Sequence, residues 1–86
     1  MASIEIVYFA WVREMIGKDG ESFARPSEGD TIADMIEALA ARGGGYAQAF
    51  ADQSRLRAAL DQRFVPLDTP IGRAKELALF PPVTGG

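Results

Sequence analysis

The first dense run of apolar positions, Ile4 to Val12, is rich in β-branched and aromatic residues and predicts a strand covered on at least one face. Alternation puts Ile4, Ile6 and Tyr8 on one face and Glu5, Val7 and Phe9 on the other. After the turn-rich Gly17-Lys18-Asp19-Gly20, the polar stretch Glu21 to Arg25 reads as an edge strand, and a hairpin is the economical connection. Asp30-Thr31 offers an N-cap with Asp34 in a capping-box position. Ile32, Met35, Ile36, Leu39 and Ala40 then recur at helical spacing, so an amphipathic helix is expected to stop at Gly43-Gly44-Gly45. Tyr46 and Phe50 predict a short second helix pinned by two aromatics. Leu56 to Leu60 reads as a third strand and is followed by a turn near Asp61-Gln62. Phe64-Val65 is a short strand that Pro66 confines to an edge. Asp68-Thr69-Pro70 signals a turn, and a last strand, Glu76 to Phe80, stops against Pro81. This order fits an α+β roll, with a mixed sheet packed against one main helix plus a short second helix.

Composition narrows the chemistry. The 86 residues leave room for one core, and the chain contains no cysteine and no histidine. Ser-His-Asp, Cys-His and zinc-hydrolase mechanisms are therefore excluded, as are disulfide staples. Nine Lys plus Arg against twelve Asp plus Glu give a net charge of -3, unlike the basic surface of a nucleic-acid domain. The start, Met1-Ala2-Ser3-Ile4-Glu5, lacks the basic, long apolar pattern of a signal peptide, and no window approaches a membrane span. The expectation is a cytoplasmic domain that binds neither nucleic acid nor membrane. The Gly43–Gly45 run invites a phosphate-loop reading, but it lacks the following Gly-Lys-Ser/Thr and a preceding buried strand, so a helix stop is the better account.

The ending Phe80-Pro81-Pro82-Val83-Thr84-Gly85-Gly86 carries no charged side chain. Pro81-Pro82 favours an extended path and donates no backbone hydrogen bond, so the tail is expected to leave the sheet. Residues 1–80 are assigned to the domain and 81–86 to a flexible arm. From Pro82 to Gly86 the arm can reach at most about 18 Å. Gly85-Gly86 adds no side-chain bulk, so a terminal carboxylate could pass down a channel too narrow for other residues. The bland alternative is a frayed terminus of linker composition.

The terminal heptad, the opening Val7-Tyr8-Phe9-Ala10-Trp11-Val12-Arg13-Glu14-Met15-Ile16-Gly17 and the middle Leu56-Arg57-Ala58-Ala59-Leu60-Asp61-Gln62 closely resemble the small, sulfur-carrying subunits of molybdopterin synthases. These form a branch of the ubiquitin-like β-grasp proteins, and the similarity spans nearly the whole chain. The resemblance implies that Gly86 is the reacting residue and that Pro81, Pro82, Val83, Thr84 and Gly85 form its arm. It implies adenylation of Gly86 by a separate ubiquitin-activating-type adenylyltransferase that consumes ATP. A persulfide donor then converts the acyl-adenylate to a thiocarboxylate. It further implies delivery of that sulfur to cyclic pyranopterin monophosphate in the active site of a large synthase subunit, within a heterotetramer of two copies of each chain. No permanently bound cofactor or metal is expected.

Matched positions also imply partner contacts. Phe80 resembles the family's interface aromatic, although it reads equally well as a half-buried strand-end residue, and Arg13 is either an ion-pairing contact or an ordinary solvated arginine. Trp11 and Leu60 stand between contact and core. Two departures concern turn geometry: Arg73-Ala74-Lys75-Glu76 stands where the family has a Gly-Asp-Glu turn, and Asp61 stands where it has asparagine. The alternatives are a carrier feeding another thiolation pathway, a modifier that forms isopeptide bonds through Gly86, and an interaction domain with an inert tail. With no side-chain thiol in the chain, any carried sulfur is expected on the main-chain carboxyl of Gly86.

Overall fold

Alternating burial defines the first strand, β1 (Ser3–Tyr8), in a computed structural model that describes residues 3–25, 27 and 29–82. Ile4, Ile6 and Tyr8 are buried on one face as the pattern requires. The strand ends sooner than the apolar run does. Ala10 takes a left-handed φ of 55°, uncommon for a residue with a Cβ, and the chain turns into α1 (Ala10–Ile16). Trp11, Val12 and Ile16 therefore pack from a helix, and the expected β-hairpin is replaced by a helical connection to the antiparallel strand β2 (Gly20–Ala24). An apolar run of mixed β-branched and aromatic residues does not by itself distinguish strand from buried helix, and here it contains both.

The main helix, α2 (Ile32–Ala40), begins as expected: Thr31 Oγ1 accepts the Asp34 amide and the Asp34 carboxylate accepts the Thr31 amide. Ile32, Met35, Ile36 and Leu39 are buried along its inner face. The helix ends at Ala40, capped by Ala41 in right-handed geometry, and the glycines serve the next element. Gly43 adopts a φ of 80° at the N-cap of α3 (Gly44–Ala49), which starts two residues before Tyr46. A Cβ on Gly45 would collide with the Met15 carbonyl oxygen, so this glycine lets α3 lie directly on the end of α1.

After a 3₁₀ turn (Gln53–Arg55), β3 (Arg57–Leu60) and β4 (Arg63–Val65) form a hairpin, and β5 (Glu76–Phe80) closes the sheet. Leu56 precedes β3 as a buried residue of the extended connection. Asp61 and Gln62 take φ of 48° and 72°, the left-handed pair required where a two-residue turn follows the strand twist. The sheet order is β2-β1-β5-β3-β4, with β1 and β5 parallel at the centre and antiparallel pairings outward. The predicted edge strands β2 and β4 lie at the two edges. This is the ubiquitin-like β-grasp fold, with three α-helices among the described residues where two were expected.

One polar cluster ties the elements together at the rim of the core. The Glu21 carboxylate on β2 accepts the hydroxyls of Tyr8 and Tyr46 at 2.7 and 2.6 Å, Arg42 Nη1 at 3.0 Å and Lys18 Nζ at 3.3 Å. Burial pushes its pKa up, but the hydrogen bonds from Tyr46, Tyr8, Arg42 and Lys18 outweigh burial and hold it at about 2. Tyr8 moves the other way: burial, then its bond to Glu21, raises its phenol well above the ordinary range.

Candidate docking face and carrier arm

Among the described residues, the helices cover one face of the sheet and leave the other open. On that open face the central strands carry small residues, Val7, Ala78 and Ala59, which are register neighbours across β1, β5 and β3. Larger side chains surround this floor. Phe64 on β4 lies opposite Ala59 and is 79% exposed, an unusual position for an aromatic ring. Its ring centroid lies 5.4 Å from that of Phe80, the last residue of β5. Phe9, also exposed, contributes from the end of β1. Together they line an open, mostly apolar groove of about 590 Å³. A second hollow of about 430 Å³ continues past Phe64 and Phe80 to Arg57 and Pro66.

Pro81 and Pro82 line the first groove and are half-buried, so the root of the arm belongs to this open face. The assignments to Val83, Thr84, Gly85 and Gly86 lie outside the described residues. Phe80 is half-buried at the end of β5, with its ring against Phe64. Arg13 lies on α1 with half its side chain exposed, and its Nε is 3.8 Å from an almost fully exposed Asp19 carboxylate, a loose surface pair. Trp11 is partly buried against the core beneath the Arg55 guanidinium, 5.1 Å from its ring centroid. Leu60 is 9% exposed and belongs to the core cluster. The structure therefore brings Phe80, Pro81 and Pro82 together and sets Arg13 and Trp11 apart on α1.

Neither Phe64 nor Phe9 lies in a motif that marks it as a site residue. The available signal was the strand alternation, which places Phe9 on the face opposite Ile4, Ile6 and Tyr8, combined with alanines at the matching positions of Arg57-Ala58-Ala59-Leu60 and Glu76-Leu77-Ala78-Leu79. Asp61, one of the departures noted above, has a clear local task. Its Oδ1 accepts the Lys75 and Glu76 amides at 2.9 and 3.0 Å, anchoring the start of β5. An asparagine oxygen could accept the same bonds, so this exchange leaves the turn intact. Among the described residues, no cluster of three Asp or Glu side chains could hold a metal ion, and no helix is long and apolar enough to cross a membrane.

Comparison with known proteins places these features in a family. A sequence profile described as the ThiS family matches residues 6–86, from β1 through the arm. The chain belongs to the ThiS family. Two relatives in the family are named molybdopterin synthase sulfur carrier subunit. The one from Escherichia coli (strain K12) is 37% identical over 83 residues, covering 96% of this chain and 99% of its own. The one from Haemophilus influenzae (strain ATCC 51907 / DSM 11121 / KW20 / Rd) is 34% identical over 87 residues, with the same coverage of 96% and 99%. Among solved structures, the small archaeal modifier protein 1 of Haloferax volcanii superposes with a TM-score of 0.70 at 23% identity, covering 96% of this chain and 100% of that one. This last likeness concerns the fold.

Proposed function

We propose that this chain is the sulfur carrier subunit of a molybdopterin synthase. The observation that carries the proposal is the family match running to the terminal Gly85-Gly86, together with the two relatives bearing that name. The arm's root at the edge of an exposed apolar groove supports it further, because a carrier must dock before it can present its end.

The chemistry follows from the reactivity of a carboxyl group. A carboxylate is a poor electrophile, so Gly86 is first joined to AMP, with release of pyrophosphate from ATP on a separate adenylyltransferase. The terminal sulfur of a persulfide displaces AMP, and a second thiol cleaves the resulting acyl disulfide to leave the thiocarboxylate. The arm then enters the large synthase subunit, where the sulfur attacks a carbon of cyclic pyranopterin monophosphate and an oxygen substituent leaves that carbon. Hydrolysis returns the Gly86 carboxylate, and two carriers supply the two dithiolene sulfurs. Acid–base and phosphate-binding groups belong to the partner; this chain contributes a sulfur atom, an arm and a docking face. Deleting Gly86 in the native host is expected to abolish molybdoenzyme activity while leaving the domain folded. Retained activity would refute the assignment.

A further inference from the structure

Charge is distributed unequally along the open face of the sheet. At the arm end, Arg57 is the register partner of Phe80, and its guanidinium donates to the Leu56 and Ser54 carbonyl oxygens at 2.8 and 3.3 Å. At the far end, Glu5 and Glu76 are register partners on neighbouring strands, so two like charges share one edge of the face. Asp61 lies beside them, its amide donating to the Glu76 carbonyl oxygen at 3.0 Å. Among the described residues, none of Arg57, Glu5, Glu76 and Asp61 takes part in an ion pair. Like charges on facing strand positions repel; Glu5 accepts the Ser22 hydroxyl, but no cation of the described chain pairs with either glutamate. The apolar floor and Phe64 lie between the two ends.

We propose that this face binds a second copy of the chain in a two-fold, face-to-face dimer. A two-fold axis lying in the interface and crossing the strands near Ala78 reverses strand direction, so the arm end of each sheet meets the far end of the other. Arg57 of each copy then faces Asp61 and Glu76 of its mate. The Phe64 side chains of the two copies meet near the axis, because Phe64, Ala59 and Ala78 lie in one row across the sheet. The face is thus self-complementary in charge and in its apolar centre, as an isologous contact requires. Such a dimer covers the surface assigned above to the large subunit, so it is a resting form that the partner displaces. The pairing does not rest on the sulfur-carrier reading, since it makes no use of Gly86 chemistry.

Sedimentation velocity on the full chain, from micromolar to millimolar concentration, tests the pairing. A reversible dimer weakened by salt is expected. R57E and E76R should each raise its dissociation constant at least about tenfold, because each sets like charges against each other at both ends. An equimolar mixture of R57E and E76R should regain the dimer, since the introduced glutamate then faces the introduced arginine and the native Arg57 of one copy faces the native Glu76 of the other. E76Q, which keeps the side-chain shape, should give a smaller loss in the same direction. A wild-type chain that stays monomeric throughout, a dimer indifferent to the charge changes, or a mixture no better than its components would overturn the proposal.

Discussion

Glu21 shows how a residue read only as part of a polar edge strand can anchor a small domain. Its two carboxylate oxygens receive four donors from four parts of the chain: Tyr8 on β1, Lys18 before β2, Arg42 after α2 and Tyr46 on α3. Arg42 also lies over the rings of Phe23 and Tyr46, at 4.7 and 5.0 Å, so the charge cluster is laid on aromatic surface. Because the folded-state pKa of about 2 lies below the ordinary 4.5, the ionised form contributes stability above pH 4.5 that drains away as the pH falls toward 2. Glu21→Gln is expected to cost about 2 kcal/mol at neutral pH, the scale of lost charge-assisted hydrogen bonds. Urea unfolding repeated between neutral pH and the acid limb should show this cost shrinking as the pH is lowered. A constant difference across that range would contradict the assignment.

At the scale of elements, local signals fixed those parts whose cause is local. The Thr31–Asp34 capping box and the helical spacing of Ile32, Met35, Ile36 and Leu39 located α2, and Pro81 located the end of β5. The first helix was hidden because its start depends on a left-handed step at Ala10, and its packing depends on α3, far along the chain. By local rules the glycine run is a helix stop, whereas Gly45 answers a tertiary demand, the close passage of α3 over Met15. Gly45→Ala should therefore lower stability by about 2 kcal/mol or more, since the obstructing atoms are backbone and cannot rotate away. Thermal unfolding would measure this, and a neutral effect would show that the helices can separate freely. The candidate site was legible at Phe80 and the arm, where the motif is contiguous. Phe9 and Phe64 join it only through sheet register, which pairs β4 with β3 and sets β5 between β3 and β1.

For the whole molecule, a helix-covered face stabilises the domain and the opposite, open face is the one proposed to meet a partner. Phe64 separates the two roles, because a ring that is 79% exposed adds little to the core. Phe64→Ala is expected to leave the melting temperature nearly unchanged while weakening binding to the large synthase subunit at least about tenfold, as measured by calorimetry. Unchanged affinity would remove the open face from the docking surface. The proposed carrier has no cysteine, so its sulfur is expected as a thioacid on the carboxyl of Gly86 and on no side chain. Intact-mass spectrometry of the protein isolated from its native host tests this most directly. The account predicts a mass increase of one oxygen-to-sulfur exchange, localised by fragmentation to Gly86 and lost on incubation with the large subunit and its pterin substrate. An unmodified carboxylate when the sulfur-transfer machinery is intact, or a lysine-linked adduct in place of the thioacid, would contradict it.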